Sequence, residues 1–220
     1  MPFWRAEFLL FLGLCLALLR LCPAAWSKVI LTLCGLYFYA WWDLRFVPLL
    51  VGAALADWAL ALWMERPGVT RRAGFALGLV LRLGLLVFFK YADFFLAGQG
   101  GQIGNLRLLL PLGLSFQAFS AITYLAAVHA GRMPARKSPL DVLCFATFFP
   151  VLSAGPIVRA EELLPQLDAL PRPDAAALYD GFRRFSMGLF KKLVLADRLG
   201  FYVAEVYGNA GAYDLSLIHI

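Results

Sequence analysis

The chain has 220 residues, of which 62% are hydrophobic and only 15% charged. A soluble domain carries about a quarter charged residues, so no single soluble core could hide this much apolar surface, and lipid must serve as the solvent. The net charge of +6 lies in short Lys and Arg clusters between apolar runs, which excludes a continuous nucleic-acid-binding face and fits the enrichment of basic residues in cytoplasmic loops of membrane proteins.

In chain order, the first apolar stretch is Ala6 to Leu19. Behind Arg5, and followed by Cys22-Pro-Ala-Ala, it could serve as a signal-peptide core, but apolar spans continue along the chain and a first transmembrane helix is expected. Further spans run from Val29 to Trp42, Phe46 to Met64, Ala73 to Leu96 and Leu112 to Ala130, with Ala6 to Leu19 and Val29 to Trp42 short enough to need snorkelling flanks. Alternate loops place Arg20, Lys28, Arg66, Arg71, Arg72, Arg132, Arg136 and Lys137 on one side and Arg5, Arg45 and Arg107 on the other. That asymmetry puts the N-terminus outside and the 131–140 loop in the cytoplasm, with the aromatic cluster Tyr37 to Trp42 at an interface. The Gly-rich stretch Gly98 to Gly104 has no preceding strand and no Gly-Lys-Ser/Thr after it, so it reads as an outer loop and not as a phosphate cradle.

Val142 to Val158 is apolar but broken by Pro150 and by Gly155-Pro156. Its 17 residues would reach about 25 Å if helical throughout, short of the roughly 30 Å hydrocarbon core. Broken backbone survives at membrane depth only inside protein or beside a water-filled cavity. With Asp141 before it and Arg159, Glu161 and Glu162 after it, the run is expected to turn back on the side it entered, as a re-entrant hairpin. Leu163 to Asp174 is rich in Pro and polar residues and is expected to be a surface connector.

From Ala175 onward, Arg184, Lys191 and Arg198 recur every seven residues, within about 40° of one face of a regular helix. Phe182, Phe185, Leu189, Leu193 and Val194 supply apolar surface, and Lys192 falls outside the stripe. This basic amphipathic helix is expected either to lie among anionic headgroups or to turn its charges toward a polar cavity. No internal repeat or low-complexity tract is visible.

Ionisable groups inside apolar spans are candidate functional residues by their cost alone, about 2.5 to 3.5 kcal/mol at the bilayer centre. They are Asp57, Arg82 and Lys90; the structural alternative pairs Asp57 with Arg82 and Lys90 with Asp93. Gln117, Ser120 and Tyr124 form a polar strip on the fifth span, suited to interhelical hydrogen bonds or to a cavity. Of the two histidines, His129 sits at the cytoplasmic end of that span, where a solvated interfacial role is expected, and His219 lies in a tail, 208–220, expected to be truncated or non-native. The cysteines show neither C-x-x-C spacing nor companion histidines, so no disulfide or metal site is expected, and no nucleophile elbow, H-E-x-x-H pair or Walker loop is present.

Four segments resemble the membrane-bound O-acyltransferase superfamily: Phe88 to Phe95, Leu110 to Phe116, Phe148 to Arg159 and Gly188 to Asp197. Its nearest branch is the bacterial one of alginate and peptidoglycan O-acetyltransferases and teichoic-acid D-alanyl transferases. The resemblance implies that 1–207 is the N-terminal part of one all-α polytopic domain, with about five transmembrane helices, the re-entrant hairpin and the basic helix contributing to a ring around a funnel. It implies an acyl group, acetyl before D-alanyl, passing from a cytoplasmic donor such as acetyl-CoA or a carrier thioester to a polysaccharide hydroxyl outside the bacterial inner membrane. Periplasmic acyltransferase partners and the bilayer itself are the implied partners, with no tightly bound cofactor. The family's histidine general base belongs to segments beyond Ile220, so no catalytic residue is assigned and the chain alone is expected to be inactive. Supporting roles carry over to Pro150, Gly155, Pro156 and Arg159 in shaping the hairpin, and to Lys191, Lys192 and Asp197 at the donor entrance. A transporter or flippase and a non-catalytic membrane scaffold are the alternatives.

Overall fold

Long apolar stretches with no water to satisfy their backbone must bond internally, and every regular element among the described residues is helical. The computed structural model describes Phe3 and residues 5–66, 70–97, 111–152, 155–170 and 174–209, with backbone only for 92–97. The chain divides into two compact units, Met1–Pro171 and Arg172–Ile220.

In the first unit, α1 (Ala6–Leu21), α2 (Ser27–Ala40), α3 (Val47–Met64), α4 (Arg71–Ala97) and α5 (Leu114–His129) stand where the five spans were expected, each boundary within two residues. Leu44–Met64 and Arg71–Tyr91, 21 residues each, are long and apolar enough to cross a bilayer. By contrast α1 and α5 have 16 residues and α2 has 14, below the roughly 20 a perpendicular span requires. Five helices therefore fill the expected places, and two of them meet the length of a full span. Leu77, Val80, Val87 and Phe88 on α4 stay exposed, as expected of a surface that meets lipid.

The broken run forms α6 (Pro139–Ala146), a short α7 (Phe149–Leu152) and an extended stretch leading into α8 (Ala160–Asp168). Ser138 caps α6 by accepting from the Leu140 N–H at 3.2 Å, with Pro139 at its first position where the missing donor costs nothing. Pro150 occupies the first turn of α7 in the same way, so it starts a helix as well as breaking one. Leu163 to Asp174 is only partly the expected connector, because 163–168 belong to α8. Leu163, Leu164 and Leu167 make one buried face there, and this outweighs the Pro165 that suggested a loop.

At the end of α5 the chain reverses at Gly131, whose φ of +71° only glycine adopts at little cost. Gly131 N–H donates to Val128 O at 3.1 Å and Arg132 N–H to Ala127 O at 2.9 Å, the paired bonds of a Schellman cap.

The second unit contains α9 (Ala175–Phe190), a π-helical stretch Lys191–Ala196 and α10 (Asp197–Gly208), running without a break. Asp174 caps α9 by accepting from Ala177 N–H at 2.7 Å. The π-helical turns correct the expected basic stripe. Backbone bonds from i to i+5 rotate each residue less than α-helical ones do, so Arg184 and Arg198 no longer share the face that an uninterrupted α-helix would give them. None of the residues in these three elements is buried within the unit, and Phe182, Phe201, Tyr202 and Tyr207 are prominent among its exposed aromatics. The Gly98 to Gly104 loop, the Asp93 side chain and residues 210–220, including His219, lie outside the described residues.

Candidate functional site

The intramembrane polar residues singled out from sequence converge. Asp57 from α3, Arg82 from α4, and Gln117, Ser120 and Tyr124 from α5 line one enclosed space, closed on its far side by Val142 and Phe145 of α6 and Val151 and Leu152 of α7. Asp57 and Arg82 are 2% and 4% exposed and bind each other in a fork: Arg82 Nε donates to Asp57 Oδ1 at 3.1 Å and Nη2 donates to Oδ2. Bidentate pairing satisfies both charges where neither could stand alone. Gln117 donates to the Leu112 carbonyl at 3.2 Å, and the Tyr124 hydroxyl accepts from the Arg136 N–H at 3.0 Å. The space leaves about 20 Å³ for the centre of a water molecule, enough for roughly one water. The pairing anticipated for Asp57 and Arg82 is present.

A second cluster explains how the hairpin is held. Lys28 at the start of α2 donates to Asp141 at 2.5 Å and to Asp168 at 2.6 Å, while Arg136 binds Asp168 at 2.6 Å. Asp141 immediately precedes the broken run and Asp168 ends α8, so one lysine grips both and the stretch 141–168 starts and finishes at the same end of the bundle. Burial pushes the Asp168 carboxyl up, but the Lys28 ammonium and the Arg136 guanidinium outweigh it and hold it below the usual carboxylate range. At the same end Glu65 accepts from Ala135 N–H at 2.7 Å and Trp58 Nε1 donates to Lys137 O at 3.2 Å, fixing the backbone before α6. Residues that loop alternation assigned to one side thus meet one another. On the opposite loop Asp43 pairs with Arg45 at 2.7 Å.

α7 is held by aromatic packing. Phe149 sits 5.1 Å from Phe11, 5.9 Å from Phe38 and 6.5 Å from Phe8, centroid to centroid, joining α7 to α1 and α2. A side chain at Gly155 would run into the Val151 backbone, and one at Gly35 into the Thr147 carbonyl between α2 and α6. Pro156 is exposed, and Arg159 stands in extended backbone just before α8.

Other candidates lie elsewhere. Lys192, in the π-helical segment that Lys191 begins, pairs with Asp197 at the start of α10, all three in the second unit. The Lys90 ammonium lies 5.6 Å from the Tyr91 ring centroid. His129 is half-buried at the end of α5: its ring stacks flat on Phe75 at 4.9 Å, and its Nδ1 is buried without a hydrogen-bond partner among the described residues. Sequence reasoning missed the Lys28–Asp141–Asp168–Arg136 cluster as a site. Lys28 and Arg136 were visible only as orientation charges, because their partners lie far away in sequence.

Fold and site together define an all-helical, membrane-type bundle in which the two short helices of a Pro/Gly-broken segment pack against a buried polar centre. The chain is 33% identical over 228 residues to the peptidoglycan O-acetyltransferase of Helicobacter pylori, covering 87% of the chain and 42% of that protein. It is 33% identical over 202 residues to the probable alginate O-acetylase AlgI of Azotobacter vinelandii (86% of the chain, 40% of the relative). To its namesake in Pseudomonas aeruginosa it is 32% identical over 201 residues (86% and 38%). No protein-family model matches the chain, and no solved structure matches it significantly. The resemblance drawn from its motifs therefore holds: the chain is related, over most of its length, to bacterial O-acetyltransferases of the membrane-bound O-acyltransferase superfamily. It spans about two fifths of the length of these relatives.

Proposed function

We propose that the chain is the N-terminal part of an inner-membrane O-acetyltransferase that moves an acetyl group from a cytoplasmic donor, acetyl-CoA or a carrier thioester, to a hydroxyl of an extracytoplasmic polysaccharide. The observation that carries this reading is the relatedness to peptidoglycan and alginate O-acetyltransferases over 86% to 87% of the chain. In such a transfer the hydroxyl oxygen bonds to the thioester carbonyl carbon, the carbon–sulfur bond breaks, the thiolate leaves, and a base takes the hydroxyl proton. No described residue of this chain is assigned as that base.

The chain's own contribution is scaffolding. The broken run, flanked by the Lys28 contacts to Asp141 and to the end of α8 and packed through Phe149 against α1 and α2, acts as a re-entrant wall of the transfer path. The eight-to-three distribution of basic loop residues supports a cytoplasmic position for the Lys28 end and an outer N-terminus. Lys191 and Lys192 lie in a π-helical break, a local geometry frequent at functional sites, and with Asp197, the first residue of α10, are assigned to the donor entrance. Periplasmic acyltransferases complete the system. Deleting the whole gene and restoring it in its host tests the reading: ester-bound acetate released by mild base from surface polysaccharide should vanish and return. Unchanged ester acetate in the deletion strain would refute it.

A further inference from the structure

Beside the far face of α5, away from the buried polar centre, runs an open groove of about 520 Å³ that the transfer scheme does not use. Phe119, Ile122, Ala126 and Ile157 form its apolar wall, and Arg132, Arg159 and Glu161 its polar end. Phe119 is 44% and Ile157 50% exposed, so the wall offers apolar surface where a membrane-embedded helix meets acyl chains. Arg132 is aimed there by the Schellman turn at Gly131 and binds Glu161 through Nε, while its terminal nitrogens hold no partner among the described residues. Arg159 pairs with no carboxylate among the described residues, which leaves two guanidinium groups against one acid. Thr123 contributes only wall, since its hydroxyl already donates to Ser120 O at 2.7 Å and accepts from Ala160 N–H at 3.1 Å.

We infer that this groove binds an anionic phospholipid, its phosphate on Arg159 and Arg132 and the start of an acyl chain along Phe119, Ile122 and Ile157. Guanidinium forks match phosphate geometry, and the net positive end opposes the lipid's charge. The apolar wall continuing from the charged end selects an amphipathic anion over a soluble one. Binding of this lipid does not depend on acetyl transfer.

The purified chain, delipidated in detergent, is titrated with phosphatidylglycerol and, separately, with phosphatidylcholine, and bound lipid is counted by native mass spectrometry. Glycerol phosphate serves as a soluble competitor. Saturable binding that favours phosphatidylglycerol is expected, weakened about fivefold in Arg159→Gln, since a basic residue near anionic lipid is worth about one factor of that size. Glu161→Gln should strengthen binding by releasing Arg132, a direction that misfolding cannot mimic and that decides the matter if Arg159→Gln does not fold. Equal binding of both lipids, no change in either variant, or displacement by glycerol phosphate as efficient as by lipid would overturn the proposal.

Discussion

The buried Asp57–Arg82 fork shows how much a single pair can hold. Removing one partner leaves a lone charge with no solvent, so Asp57→Asn or Arg82→Gln is expected to cost about 3–5 kcal/mol. Replacing both together, Asp57→Leu with Arg82→Met, should lower the melting temperature in detergent less than either single change. Asp168 supplies a pH test. Its carboxyl is held below its unfolded value of about 3.9, so its stabilising effect is present above that pH and is lost as pH falls through the lower folded value. With the side chain 39% exposed, solvent screening keeps the effect within about 1 kcal/mol. Acid unfolding of Asp168→Asn should lack that increment. Charges out of place in apolar spans were legible in sequence because their cost is local. The partners of Lys28 were not, since contacts 113 and 140 residues away leave no local pattern.

Among the elements, the five helices α1 to α5 were readable because apolar runs and flanking charge are written along the chain. Two features escaped. Glu161, Glu162 and Pro165 masked the buried leucine face of α8, and the Lys191–Ala196 stretch carries nothing that distinguishes π- from α-helical bonding. The break in the apolar run was legible from Pro150 and Gly155-Pro156, but the contacts that hold its flanks were not. Phe149→Ala should therefore destabilise the bundle by about 3–5 kcal/mol, measured by thermal unfolding in detergent, because it empties the contact joining α7 to α1 and α2. Gly35→Ala should cost about 1–3 kcal/mol in the same measurement, as α2 and α6 can no longer approach.

At the scale of the whole molecule, the links among Lys28, Glu65, Arg136, Asp141 and Asp168 gather the ends of α2, α3, α6 and α8 with the 131–138 loop at one end of the first unit. Single cysteines at Lys137 and Glu162, in a chain lacking its native cysteines, should react with impermeant maleimide only once the cytoplasmic face is opened. A cysteine at Arg45 should react from outside in intact cells. Acetyl transfer itself is tested most directly with the full-length protein in sealed inverted membrane vesicles that enclose its polysaccharide acceptor, given acetyl-labelled acetyl-CoA and the donor system at the exposed cytoplasmic face. Label should enter the enclosed polysaccharide as base-labile ester and fall sharply when the Asp57–Arg82 pair is broken. Absence of label from the polysaccharide, with donor consumed or untouched, would contradict the assignment.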